Sequence, residues 1–332
     1  MNVNGVSTLA SMELRQRQTA DLQTRLERVG AELTTGQRQD IANSLGAQTE
    51  MFESLTRARE AVDSLLDRNA LAANRLDAAQ LTLESATAPL DRLAEDVTAA
   101  LGREDEVSLS FHLEAASAAL AQSIGTLNTH LGGRYLFAGA EVDRVPLAAS
   151  ASFTQEVGTA AAGAPDITGK LAAIDALFDA GLPASLYAGD DAVPEADIAL
   201  GERATIGATA NDASIRPLLQ GLAMLGALDS GEVSLSGADR DAYIAHATEK
   251  LKAGMGSVTQ LRAALGFSQE RIANADTIHQ ANRSAMDLQI DGLVGVDPYE
   301  AATEFQALES QLQASYLVTS RLAGLSLTNF LR

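Results

Sequence analysis

Apolar positions follow helical spacing over most of the chain. From Leu14 onward, Leu22, Leu26, Val29 and Leu33 advance by four, three and four, which predicts a helix stopping near Thr34-Thr35-Gly36. A longer run opens near Leu55. With Leu55 as heptad position a, the a series reads Leu55, Val62, Asn69, Leu76, Leu83, Leu90, Val97, and the d series Ala58, Leu65, Ala72, Ala79, Ala86, Leu93, Ala100. One register held this long predicts a coiled-coil rod of ~70 Å, with Asn69 as a register-setting polar residue and Pro89 as a kink or break. A third helical run spans 111–131. A second rod covers 239–290, with Leu251, Val258, Leu265, Ile272, His279 and Met286 at a and Leu261 and Ala275 among the d positions. Past a loop at 292–298, Asp297 as N-cap and Pro298 at the first helical position open a last helix carrying Phe305, Leu308, Leu312, Tyr316 and Leu322.

Between the rods the period changes. Arg134-Tyr135-Leu136-Phe137-Ala138-Gly139 alternates and reads as a strand leaving the Gly132-Gly133 helix stop. Five of the seven prolines (Pro146, Pro165, Pro183, Pro194, Pro217) fall in 139–217. There Asp197-Ile198-Ala199-Leu200 and Arg203-Ala204-Thr205-Ile206 predict strands, and 171–178 one short helix; 218–228 is helical again. The pattern is symmetric: short helix, rod, β-rich lobe, rod, short helix. A helix with an exposed apolar stripe needs a partner, so the rods should pair antiparallel and the N-terminal helix should lie beside the C-terminal one.

Composition supports long helices. Only 4% of residues are aromatic and tryptophan is absent, so close helix packing through Ala and Leu replaces a bulky aromatic core. The absence of cysteine excludes disulfides, thiolate metal sites and thiol nucleophiles. No cleavable signal peptide is visible in Met1-Asn2-Val3-Asn4-Gly5-Val6, and no window reaches the ~18 apolar residues of a membrane span. A net charge of −20 disfavours nucleic acid as a partner. Residues 1–40 hold five acids and five bases, and 293–332 four acids and two bases, so −18 falls on 41–292. Near-neutral ends can crowd against copies of themselves, whereas an acidic body prefers water.

Sites for catalysis, cofactors or metals are not apparent. His112, His130, His246 and His279 lie on helical runs without partners at metal-ligand spacing. The 163–170 segment has one residue too many between its glycines for a phosphate loop, and Leu171 stands where a Ser or Thr is required. Asp190-Asp191, like Asp239 with Asp241, lacks calcium-loop spacing and reads as solvated turn residues. The chemistry that remains is interaction. The terminal helices are too small to bury both their stripes, so residual apolar surface awaits neighbouring subunits.

Three passages carry a family resemblance. The sequence Leu131-Gly132-Gly133-Arg134-Tyr135-Leu136-Phe137-Ala138-Gly139 resembles a signature passage of the hook–filament junction family of the bacterial flagellin superfamily, the flagellar hook-associated protein 3 group. Asp297-Pro298-Tyr299-Glu300-Ala301-Ala302-Thr303, Leu312-Gln313-Ala314-Ser315-Tyr316 and Leu325-Ser326-Leu327 resemble its C-terminal signature, and Leu33-Thr34-Thr35-Gly36 an N-terminal element shared with flagellins. After Gly36 the chain departs from the family, reading Gln37-Arg38-Gln39-Asp40 where a basic stretch and Asp-Asp-Pro are usual.

The expected fold is mainly α: long antiparallel helical rods formed by N- and C-terminal segments, with a small β-rich central lobe. Residues 1–45 plus 292–332 are expected to be polymerisation helices, 46–140 plus 218–291 a rod domain, and 141–217 the variable lobe. The assembly residues are expected to be Leu22, Leu26, Val29, Leu33, Phe305, Leu308, Leu312, Tyr316, Leu322, Leu325, Leu327 and Phe330. The resemblance implies a non-enzymatic, extracellular flagellar subunit without cofactors, exported unfolded by the type III apparatus with a chaperone. Its implied partners are a ring of like subunits, the hook-side associated protein and flagellin, with neither nucleic acid nor membrane. Flagellin itself and a helical binding protein outside the flagellum are the competing readings.

Overall fold

The computed structural model describes residues 3–41 and 45–330, with side-chain surroundings given for 13–41 and 45–321. Nine helices and two small hairpins are described: α1 Val3–Thr35, α2 Thr49–Thr87, α3 Leu90–Gly102, α4 Glu106–Leu127, β1 His130–Leu131, β2 Arg134–Tyr135, α5 Ser150–Ala162, α6 Ile167–Asp179, β3 Glu195–Ala199, β4 Glu202–Thr205, α7 Arg216–Asp229, α8 Gly237–Val294 and α9 Pro298–Phe330. The fold is mainly α with long helices, as the periodicity predicts. No helix among the described residues is long and apolar enough to cross a membrane.

Local signals act where the sequence places them. Gly36, at φ 71°, ends α1 with its N–H on the Glu32 carbonyl at 2.8 Å. Pro89 splits the first rod into α2 and α3, standing as the N-cap of α3. Asp297 caps α9, its carboxylate accepting from the Tyr299 N–H at 2.8 Å. The heptad seam is the buried seam: Leu76, Leu83, Leu90 and Val97 at a, and Ala72, Ala79, Ala86 and Ala100 at d, are all at most 3% exposed. On α8, Leu251, Val258, Leu265 and Ile272 are buried likewise.

By packing, the chain forms two compact units, Met1–Asp63 with Gln280–Arg332, and Ser64–His279. In the first, α1 lies against α9. Partner numbers fall as α1 advances: Thr19 meets Ser315, Gly30 meets Phe305, and Gln37 bridges to Gly295. The pairing is therefore antiparallel. The start of α2 and the end of α8 run antiparallel too, joined by Arg59–Asp287 at 2.6 Å and Arg283–Asp63 at 3.0 Å.

In the second unit, α7 is the central element. Ten consecutive residues, Leu218 to Ala227, are buried, and α4, α5 and α6 pack around it. A helix apolar on every side must be enclosed. Its crossing with α8 is close: a Cβ added at Gly221 would lie 2.6 Å from the Leu251 nitrogen, and one at Gly254 would overlap the Leu218 backbone. The segment predicted as a β-rich lobe contains the β3–β4 hairpin, and α6 encloses the predicted short helix. The sequence reading missed α5, whose Phe153, Val157 and Ala161 face the core at four-residue spacing. Small residues and flanking prolines gave that stretch the look of a loop.

Buried polar residues bind the hairpin and α6 to the helices. Asn69 Nδ2 donates to the Ile198 carbonyl at 3.1 Å and to Asp276 at 2.7 Å, while His279 Nε2 is 2.9 Å from the same carbonyl. The two polar a residues thus hold the hairpin, a different task from setting register. Asp175 of α6 accepts from Gln220 at 2.6 Å, His246 at 2.9 Å and Lys250 at 2.9 Å. Burial acts to raise the Asp175 pKa, but the hydrogen bonds from His246, Lys250 and Gln220 outweigh it and leave it below the usual 3.8. A carboxyl whose folded pKa is depressed stabilises above its unfolded pKa and loses that contribution as pH falls through the folded value. Asp175→Asn should therefore cost about 1–2 kcal/mol at pH 7, and the gap to the unmodified protein should narrow as the pH is lowered from 7 through the usual 3.8 and below. Urea unfolding across that range measures both.

Candidate assembly surface

The terminal pair α1–α9 holds the residues expected to assemble. Of the twelve, Val29 at 1% and Leu308 at 6% exposure are consumed between the two helices. Leu22, Leu26, Phe305 and Leu312 are half-buried along the same seam. Leu33 and Tyr316 remain exposed, at 38% and 49%. The side chains of Leu322, Leu325, Leu327 and Phe330 lie outside the described residues.

Polar and small residues that apolar periodicity does not single out complete the seam. Thr19 Oγ1 and Ser315 Oγ are 2.9 Å apart, and Gln23 donates to the Tyr316 hydroxyl at 2.6 Å. A Cβ on Gly30 would stand 3.2 Å from the Phe305 ring, so glycine lets that ring lie against α1. A glycine inside a helical run was the available signal. Beyond the seam, Leu14, Tyr299, Leu317 and Val318 are also exposed, between 48% and 83%. Leu14, Leu22, Ala314 and Val318 line an open groove between the helices. Arg15, Gln18, Asp21, Arg25 and Gln311 line the same groove, so the surface left beside the closed seam mixes apolar and charged side chains.

The signature passage at 131–139 lies in the second unit, where its run of glycines and apolar residues has a physical reason. Gly132 and Gly133, both at positive φ, form the two-residue turn of the β1–β2 hairpin. Leu136, Phe137 and Ala138 are buried, and their carbonyls accept from Arg75 at 2.8 Å, Ala210 at 2.8 Å and Asp190 at 2.9 Å respectively. Gly139, at φ 66°, has no room for a Cβ against the Asp190 carbonyl. Tyr187 donates to that carbonyl at 2.7 Å, and burial together with the nearby Asp191 pushes its phenol up to about 12. The passage ties the chain leaving α4 to three separate segments and offers no reactive group. Among the described residues no group of three or more side chains could hold a metal ion.

The bacterial flagellin N-terminal helical region matches residues 6–141, and the bacterial flagellin C-terminal helical region matches residues 248–331. Among solved structures, a protein assigned as a flagellar hook-associated protein from Vibrio parahaemolyticus superposes with a TM-score of 0.58 at 15% identity, covering 76% of this chain and 99% of that one. FlgL of Bacillus cereus superposes with a TM-score of 0.52 at 15% identity, covering 72% of this chain and 99% of its own. At that identity the likeness is one of fold. No curated protein matches the chain in sequence. Both flagellin helical regions stand at the matching ends of the chain and together take in more than half of it, and on that ground the chain belongs to the bacterial flagellin superfamily as a structural subunit of the flagellum.

Proposed function

We propose that this subunit forms the junction between the hook-side associated protein and the flagellin filament, as a ring of like copies. The passage at 131–139 carries the reading. It resembles the junction family, and here it is the buried tie through which the chain passes from α4 toward the central segment. The likeness of fold to the Vibrio parahaemolyticus hook-associated protein and to FlgL of Bacillus cereus, over 99% of each, supports it. In this reading Leu33, Tyr316, Leu317 and Val318 meet neighbouring copies in the ring. In this reading the protein is exported through the type III apparatus with a chaperone, and acts outside the cell by position and not by catalysis.

Flagellin itself is the second reading, favoured by the matched regions being those of flagellin. Immunogold labelling separates the two. The junction role predicts one labelled point at the filament base, and cells lacking the gene should carry hooks and release flagellin into the medium. Label along the whole filament would overturn the proposal in favour of flagellin.

A further inference from the structure

Arg59 of α2 and Arg240, Arg262, Arg271 and Arg283 of α8 each reach a carboxylate of this chain. Arg75 of α2 does not. It is half-buried, and the acceptor it meets among the described residues is a main-chain oxygen, the Leu136 carbonyl, 2.8 Å from Nη2. Its Nε is buried without an acceptor. A guanidinium carries five N–H donors, so most of this fork is left unpaired. A Cβ on Gly207 would stand 3.5 Å from Nε, so the fork lies against backbone on one side and is tied to a carbonyl on another. A donor fixed in this way gives up little side-chain entropy when a ligand joins it.

The charge that acts on Arg75 is a second cation. Arg134 is exposed and stands two residues before the anchoring carbonyl, at most about 7 Å of extended chain away. Burial and Arg134 together hold the Arg75 pKa below the usual arginine range, with no carboxylate acting to raise it. Glu141 and Asp143 follow on the same loop, together with Arg144, and neither pairs with Arg75 or Arg134 among the described residues. Three cations against two carboxylates leave this region at +1 in a chain of −20. Two cations held close together, one of them largely out of water, are costly without an anion between them.

We propose that Arg75 and Arg134 bind a small, doubly charged oxyanion of the phosphate class, which meets both guanidinium groups at once. Guanidinium forks match the paired oxygens of such a group. The number of arginines sets the ligand's charge, because a single carboxylate would neutralise one and leave the other. All of these residues belong to the Ser64–His279 unit, so the site is the same whether the subunit stands at a junction or along a filament.

Inorganic phosphate is the probe, titrated at constant ionic strength against chloride into isotope-labelled full-length protein. The Arg75 Nε–H resonance, assigned by its loss in Arg75→Lys, should shift and saturate with millimolar phosphate. Arg134→Gln should weaken that binding at least about tenfold, and acetate should bind the unmodified protein at least about tenfold more weakly than phosphate. Arg134 enters β2 through its backbone, paired with Leu131, and its side chain is exposed, so the variant keeps the fold. Without phosphate its thermal midpoint should equal or exceed that of the unmodified protein, since a repulsion has been removed. Phosphate should then raise the midpoint of the unmodified protein by a few degrees and leave that of Arg134→Gln nearly unchanged. The absence of a saturable shift overturns the proposal, as does undiminished phosphate binding by Arg134→Gln. Acetate bound as tightly as phosphate also overturns it, because one guanidinium would then suffice.

Discussion

Gly254→Ala should destabilise the protein by ~3 kcal/mol, whereas Gly256→Ala, two residues further along the same helix, should stabilise it by up to ~1 kcal/mol. Both glycines sit inside α8, where alanine is the better helix former by about 1 kcal/mol. At Gly256 nothing lies within 4 Å of an added methyl, so only the propensity gain remains. At Gly254 the methyl overlaps the nitrogen and Cα of Leu218, and backbone cannot swing aside as a side chain can. Helix α7 would have to move off α8, yet it is enclosed by α4, α5 and α6 and buried along ten residues. Any shift is therefore shared among several packed faces, which is why overpacking here costs more than the methyl itself. Denaturant midpoints of the two variants, compared with equal m-values, test this. Two variants of equal stability would show that α7 and α8 have slack at their crossing.

How much of this was legible in the sequence depended on which force places each residue. The a and d seams were readable because burial along a helix follows a fixed period, and Leu76, Leu83, Val258 and Leu265 fall where that period puts them. Caps and stops at Gly36, Pro89 and Asp297 were readable because each acts on its own backbone. Asn69 and His279 were visible as polar residues in an apolar series, but their partner, the Ile198 carbonyl, is distant in sequence and a main-chain atom leaves no trace in residue identity. The division into two compact units cuts α2 and α8 in mid-helix, where no loop, proline or change of composition marks it. At the candidate surface the apolar residues were found and the sides they face were not. Val29 and Leu308 look like Leu33 and Tyr316 in a list of stripe positions, and only the α1–α9 pairing tells consumed surface from free surface.

Deletion of residues 300–332 should abolish assembly and leave the Ser64–His279 unit folded with its own thermal transition. The deletion removes most of α9 and with it Leu308, Phe305 and Tyr316 from the seam with α1. Val29, now 1% exposed, loses its cover, and α1 is left as a lone amphipathic helix, which is marginal in water. The exposed Leu317 and Val318 go as well, so both the pair and its outward face are lost in one step. None of the hydrogen bonds that hold the hairpin, α6 and the 134–139 passage in the other unit involves a deleted residue. Circular dichroism should therefore show a fall in helix signal with one cooperative transition retained, and the truncated protein should not restore filaments to cells lacking the gene. Restored filaments would remove α9 from the assembly mechanism. Loss of the transition would show instead that the Ser64–His279 unit needs the terminal pair to fold.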